Sequence, residues 1–160
     1  MVKFQLFQSK KEDKELKQLY KELVSKGCNQ FYIVGIGGPT NDDVECLGIN
    51  NGKWEVFYTE RGQKSPPSFS SEDKQEAINY YRNKVLKIRH QHLTVLTRDK
   101  NKAHNIKSQL EQNNIETWEN NIPSYSFKGD IVYRIFVFGN DIKLAKKINS
   151  SIPFSDSDLK

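Results

Sequence analysis

The sequence has no long hydrophobic run and few of the residues that mark an exported or disulfide-bonded protein. It contains two cysteines and one methionine in 160 residues, and its first residues, MVKFQLFQSKKEDK, become charged before the apolar segment of a signal peptide can form. No stretch approaches the roughly 20 apolar residues that cross a bilayer. These absences favour a cytoplasmic protein without a membrane partner, in which Cys28 and Cys46 are reduced, buried and structural.

The usual signatures of catalysis and cofactor binding are also missing. Residues 35–38 (GIGG) have no further glycine at the spacing of a dinucleotide-binding loop and no Lys-Ser/Thr pair, and they predict a turn. His90 and His92 could share a metal with His104 or Cys46, but no ligand follows at a recognisable metal-binding spacing. No serine or cysteine lies in a nucleophile elbow. We therefore expect neither an enzyme nor a metal, cofactor or small-molecule substrate.

Hydrophobic periodicity divides the chain into two modules and a short tail. Residues 1–88 have the order α-β-β-β-α, with a β-hairpin closed by Asn51-Gly52, and residues 89–150 have the order β-α-β-β-α. Residues 151–160 are predicted to form a loose tail. The pattern predicts an α+β fold with a central, mainly antiparallel sheet and about four helices, in which both modules form one compact unit. Phe136 and Phe138 are expected in the core.

The formal net charge of +5 is unevenly distributed. Residues 31–80 contain four Lys/Arg and eight Asp/Glu, whereas residues 82–107 contain eight Lys/Arg and a single Asp. The basic stretch could bind nucleic acid, because clustered Lys and Arg release counterions from phosphates. It spans parts of two helices, a linker and a strand, so its charges need not share a face. A nucleic-acid-binding module using residues 82–107 is the alternative function.

The hairpin and the helix that follows it carry the most specific motif of the chain. Residues 52–58 (GKWEVFY), Glu60-Arg61-Gly62, Phe69 and the pair Tyr80-Tyr81 resemble the immunity proteins of bacterial polymorphic toxin systems, including those of contact-dependent growth inhibition. The resemblance covers about residues 43–86. It implies a small cytoplasmic protein that binds one cognate toxin domain, in many cases a nuclease, and neutralises it by stoichiometric binding.

The second half resembles SPOR-type domains in its order of strands and helices only. That resemblance implies a glycan-binding domain, which would have to be exported. The absence of a signal peptide disfavours this function relative to toxin binding.

In an immunity protein, the acidic stretch is the expected toxin-binding surface. Carboxylates can mimic phosphate, steer association with a basic cleft and fix its register, and Trp54 or Tyr58 could anchor the contact if exposed. The prediction concerns a patch and not seven independent contacts. Its members are Asp42, Asp43, Glu45, Glu55, Glu60, Glu72 and Asp73.

Overall fold

The computed structural model describes residues 13–40, 42–126 and 129–159, and these contain four helices and nine strands. The segment 1–12, for which the sequence predicts no signal peptide, lies outside the described residues. The helices are α1 (Lys14–Ser25), α2 (Lys74–Lys87), α3 (Lys100–Gln112) and α4 (Asp141–Ile148). The strands are β1 (Phe31–Ile33), β2 (Val44–Asn50), β3 (Lys53–Glu60), β4 (Gln63–Lys64), β5 (Phe69–Ser71), β6 (Gln91–Thr97), β7 (Trp118–Glu119), β8 (Tyr133–Phe138) and β9 (Phe154–Ser155). The predicted α+β class is confirmed.

The strands form two mixed sheets instead of one central sheet. The chain divides into two compact units, of which one ends at Ile88 and the other begins at Arg89, and the packing of both modules into one compact unit stays a prediction. Each unit buries its own hydrophobic cluster. Helices that cover a sheet give the unit a hydrophobic core of its own. None of the described helices is long and apolar enough to cross a membrane.

Two tight turns organise the sheet of the first unit, which has the order β1-β2-β3-β4 with β5 also paired to β3. β1 runs parallel to β2, and the other pairs are antiparallel. Asn51 and Gly52 have φ values of 50° and 78°, and Arg61 and Gly62 have values of 48° and 75°. Two consecutive positive φ values are required by the type I′ turn, whose twist matches that of the strands it joins. The predicted hairpin at Asn51-Gly52 is confirmed.

Helices α1 and α2 bury their apolar stripes against one face of this sheet. Asp13 caps α1 by accepting a hydrogen bond from the Leu16 amide at 3.1 Å, and Asp73 caps α2 by accepting one from the Glu76 amide at 3.1 Å. Each cap satisfies a backbone donor that has no partner within the helix. The buried cluster includes Leu16, Leu19 and Leu23 of α1, Phe31, Ile33, Leu47 and Val56 of the sheet, and Ala77, Ile78, Tyr81 and Val85 of α2.

The hydroxyl of Tyr81 ties α2 to the two parallel strands. Its single proton is shared between the carbonyl oxygens of Tyr32 at 3.0 Å and Glu45 at 2.8 Å, and its oxygen accepts a hydrogen bond from the Tyr32 amide at 3.2 Å. The ring is completely buried. Burial raises the pKa of this hydroxyl well above its usual value, so the group stays a neutral donor. One side chain therefore connects three elements of the first unit.

We expect Tyr81→Phe to lower the free energy of unfolding of the first unit by about 1–3 kcal/mol, because buried backbone groups lose their partner. Urea unfolding in a Trp118→Phe background measures this, since the fluorescence of Trp54 then reports on the first unit alone. Tyr80→Phe is the matched control, because it keeps the ring that stacks on Phe69 at 4.4 Å. An equal loss of stability in both variants would contradict the role of the Tyr81 hydroxyl.

The second unit is built around a split β-α-β arrangement. Its sheet has the order β7-β8-β6-β9, and β8 runs antiparallel to both β6 and β7, which it separates. The segment β6-α3-β7 therefore joins two parallel strands around an antiparallel one. The predicted β-α-β-β-α order is confirmed, and β9 follows it. The buried cluster includes Val95, Ala103, Ile106, Leu110, Ile115, Ile135, Val137, Ile142, Ala145 and Ile152.

Strand β8 distributes its aromatic residues differently from the prediction. Ile135 and Val137 are fully buried in the cluster under α3 and α4, whereas Phe136 and Phe138 are half-buried and lie outside it. Successive residues of a strand point to opposite faces of the sheet. Placing Phe136 and Phe138 in the core is therefore wrong, because the short aliphatic residues of β8 occupy the core-facing positions.

Residues 151–159, which the sequence predicts to be loose, are held by the second unit; residue 160 lies outside the described part. Ile152 is buried in the cluster, and β9 pairs in parallel with β6. Asp156 accepts hydrogen bonds from the Thr97 hydroxyl at 3.0 Å and the Arg98 amide at 2.8 Å. The local composition of a short polar segment gives no sign of such long-range partners.

The predicted burial of Cys28 and Cys46 is confirmed, and both thiols are free. Burial raises the pKa of Cys28 to about 11 and also raises the pKa of Cys46.

Because the thiolate is the reactive form, the two cysteines of the folded protein should react with Ellman's reagent at pH 8 far more slowly than those of the protein unfolded in guanidinium chloride. Immediate reaction of either thiol in native buffer would contradict this expectation.

Candidate binding surface

Tyr58 lies at the centre of the most acidic part of the first unit. It is 36% exposed, and it pairs directly with Glu45 across β2 and β3. Partial burial raises the pKa of Tyr58, and the negative charges of Asp43, Glu60, Glu45 and Asp42 raise it further. Four carboxylates of the predicted patch thus act on one exposed hydroxyl. We call Tyr58 with these four residues the Tyr58 surface.

Asp42 and Asp43 hold the turn that shapes this surface. One Asp43 carboxylate oxygen accepts a hydrogen bond from the Arg61 amide at 3.1 Å, and one Asp42 carboxylate oxygen accepts from the Gly62 amide at 3.3 Å. Asp43 itself has a φ of 54°, a conformation that Asp tolerates better than most residues. Both side chains are exposed. These two acids therefore have a structural role, and they remain accessible to a partner.

Glu45 is a largely buried member of the Tyr58 surface, since only 12% of its side chain is exposed. One carboxylate oxygen is 3.4 Å from Lys84 Nζ, while the other is buried and has no hydrogen-bond partner among the described residues. Lys84 also donates a hydrogen bond to the Ser68 hydroxyl at 2.9 Å. The charge of Glu45 is consequently part of the local field, but its side chain offers little contact area. Glu60, by contrast, is exposed at the end of β3.

The structure separates the other three acids from the Tyr58 surface. Glu55 occupies the opposite face of β3, where it lies 2.7 Å from Lys64 Nζ, and this hydrogen bond lowers its pKa. Glu72 is exposed, and Asp73 is the cap of α2. Both follow β5, which pairs with the beginning of β3, whereas Glu60 ends that strand. The seven acids predicted as one patch therefore occupy three separate places.

Of the two aromatic anchors suggested by the sequence, only Tyr58 is exposed. Trp54 is half-buried against the hydrophobic cluster, and the ammonium group of Lys74 lies 5.7 Å from the centre of its ring. Trp54 therefore supports the fold of the first unit more than its surface.

Sequence reasoning missed the pairing of Tyr58 with Glu45, although the hairpin contains the necessary signal. A two-residue turn at Asn51-Gly52 pairs residue 50 with residue 53, and each further step outward then pairs 49 with 54 and finally 45 with 58. Directly opposed residues share one face of the sheet. The same count places Glu55 on the other face.

The basic stretch 82–107 is divided between the two units, and many of its charges are paired. Five of its residues form ion pairs within their own unit, which are Arg82–Glu22, Lys84–Glu45, Arg89–Glu116, Arg98 with Asp130 and Asp158, and Lys107–Glu119. A carboxylate beside each cation weakens the positive field that would attract a polyanion. The positive electrostatic potential around residues 82–107 is therefore weaker than the sequence alone indicates.

The residues that the sequence suggested for metal or phosphate binding make other contacts in the structure. In the described ranges, no group of three or more His, Cys, Asp or Glu residues is placed to hold a metal ion. His90 is buried, and His104 Nε2 lies 3.4 Å from a carboxylate oxygen of Glu119. Residues 35–38 lie in the predicted turn, where the Ile33 and Gly37 backbones exchange two hydrogen bonds. A side chain at Gly38 would lie 1.9 Å from the Phe31 carbonyl oxygen, so this position requires glycine.

Comparison of the chain with protein-family models, curated proteins and solved structures finds no match to any of the three. The resemblance to immunity proteins therefore depends on the motif within residues 43–86.

Asp43→Ala should lower the free energy of unfolding by about 1–3 kcal/mol, because the Arg61 amide loses its acceptor and alanine is strained at positive φ. Glu60→Ala is the matched control and should change stability by less than about 0.5 kcal/mol, as exposed substitutions usually do. Urea unfolding followed by Trp54 fluorescence in a Trp118→Phe background distinguishes them. Equal stability of the two variants would contradict the structural role of Asp43.

Proposed function

We propose that this protein is an immunity protein that binds and neutralises a cognate toxin domain in the bacterial cytoplasm, without catalysing a reaction. The observation that carries the proposal is the position of the Tyr58 surface on the same hairpin that resembles immunity proteins. Tyr58 is the third residue from the end of β3 (KWEVFYTE), and the Glu60-Arg61-Gly62 turn follows it. The motif that resembles the family thus also carries the exposed acidic surface.

The chemistry of the Tyr58 surface suits a basic protein partner. An exposed tyrosine combines a flat apolar ring with a hydroxyl, and such residues are over-represented among those that dominate binding energy. The surrounding carboxylates favour approach of a positively charged surface and raise the rate of association. A toxin that cleaves nucleic acid has a basic substrate-binding cleft, which would complement this surface. A toxin of contact-dependent growth inhibition is the partner class implied by the resemblance.

Co-expression with the toxin domain encoded beside this chain tests the proposal. The wild-type protein should restore growth and form a complex with one copy of each chain, measured by gel filtration with light scattering. The dissociation constant should rise with salt concentration, since exposed charges contribute to the contact. Absence of both the complex and the growth rescue would refute the function.

Two variants test whether the Tyr58 surface makes the contact. Tyr58→Leu removes the hydroxyl and ring, and Glu60→Lys reverses an exposed charge with no structural partner described. Each should weaken the complex at least tenfold, which corresponds to about 1.4 kcal/mol. Glu72→Lys is the control, because it makes the same change of charge at an exposed residue after β5, which pairs with the beginning of β3 and not with its end. Equal affinities for Glu60→Lys and Glu72→Lys would exclude the Tyr58 surface as the contact.

A further inference from the structure

One face of the sheet of the second unit carries aromatic side chains that are not part of the unit's hydrophobic core. Phe136 and Phe138 of β8 are half-buried and lie outside the hydrophobic cluster under α3 and α4. Trp118 of β7 pairs directly with Phe136 and is 39% exposed. The Trp118 and Phe136 rings lie 5.4 Å apart, inclined at 35°. We call Trp118, Phe136 and Phe138, with Arg89 and Arg134, the outer face of this sheet.

Two guanidinium groups lie over the aromatic rings of the outer face. The Arg89 guanidinium carbon is 3.6 Å from the centre of the Phe138 ring, and that of Arg134 is 5.6 Å from the centre of the Phe136 ring. A guanidinium stacked on a ring keeps its outer plane available to a ligand. Arg134 Nε donates a hydrogen bond to the Asn120 carbonyl oxygen at 2.7 Å, so its terminal N–H groups are the donors that a ligand could use. The outer face thus offers both flat stacking surfaces and fixed positive charges.

The carboxylates near this sheet leave its outer face positive. The only Asp or Glu in β6, β7 and β8 is Glu119, which faces α3 and contacts Lys107 and His104. Glu116 pairs with Arg89, but both side chains are more than half exposed. An ion pair exposed to this degree contributes little stability and can exchange partners. A phosphate could therefore compete with Glu116 for the Arg89 guanidinium.

We propose that the outer face binds single-stranded nucleic acid. Unpaired bases stack on aromatic side chains and on guanidinium planes, and arginines contact the phosphates between them. Phe136 and Phe138 are two residues apart on one strand, so their rings are about 7 Å apart along it. One unstacked base can stack beside Phe136, and the next can stack on the Arg89 guanidinium that covers Phe138. The proposal is independent of the proposed toxin binding, which concerns the first unit.

The test uses the full chain and fluorescein-labelled 12-nucleotide oligomers of uridine, deoxythymidine and a mixed-sequence DNA duplex, with fluorescence anisotropy as the readout. Single strands should bind, duplex should bind at least tenfold more weakly, and the affinity should fall as salt rises because counterions are released. Absence of single-strand binding at low salt would overturn the proposal. Equal binding of single strands and duplex would do so as well, because it would indicate phosphate contacts without base stacking.

Two exposed positions locate the binding on the outer face. Trp118→Leu removes a stacking ring and Arg89→Gln removes a charge, and each should weaken single-strand binding at least tenfold while the circular dichroism spectrum and melting temperature stay unchanged. Lys146→Gln on α4 is the charge control, and Tyr58→Leu in the first unit is the aromatic control; both should bind within twofold of the wild type. Wild-type affinity in Trp118→Leu and Arg89→Gln would overturn the assignment. Loss of toxin binding instead of oligonucleotide binding in these variants would assign the face to a protein partner.

Discussion

The turn at Asn51-Gly52 is the constraint on which the first unit depends. Both residues adopt left-handed conformations, and a two-residue turn of this kind allows only one register for the strands on either side. That register places Leu47 and Val56 in the core and Glu45 with Tyr58 beyond them. A shift by one residue would exchange the two faces of β3. The acidic surface and the core are therefore consequences of the same local geometry.

Charge is balanced locally in both units, which makes the net charge of +5 a poor guide to binding. Cations of the basic stretch meet carboxylates contributed by distant positions, such as Glu22 for Arg82 and Asp158 for Arg98. Within the acidic stretch, Glu55 is neutralised by Lys64 and Asp73 is engaged as a helix cap. The surface groups that remain for a partner form a much smaller set than either stretch contains. For this reason the Tyr58 surface and the outer face are more informative than the charge pattern.

The two sheets differ in the side chains that they carry on the face opposite their helices. In the first unit, Phe57 lies against Gly48 on the face opposite the helices, and Lys64 lies 4.2 Å from the centre of its ring. In the second unit, the corresponding face carries Trp118, Phe136 and Phe138 with arginines above the rings. The attraction between a cation and the face of an aromatic ring stabilises both groups, so that large apolar side chains can stay partly exposed. Such a face therefore costs little stability in the free protein.

The sequence by itself determined the α+β class, the order of helices and strands in the second half and the Asn51-Gly52 hairpin, because these follow from local periodicity and turn chemistry. It also contained the pairing of Glu45 with Tyr58, which follows from the turn by counting. Only the tertiary structure decided that the strands form two sheets, that Asp156 and β9 hold the last residues to β6, and that Phe136 faces away from the core. These outcomes depend on contacts between residues far apart in the chain, and no local pattern of hydrophobicity or charge encodes which distant partner a side chain will meet.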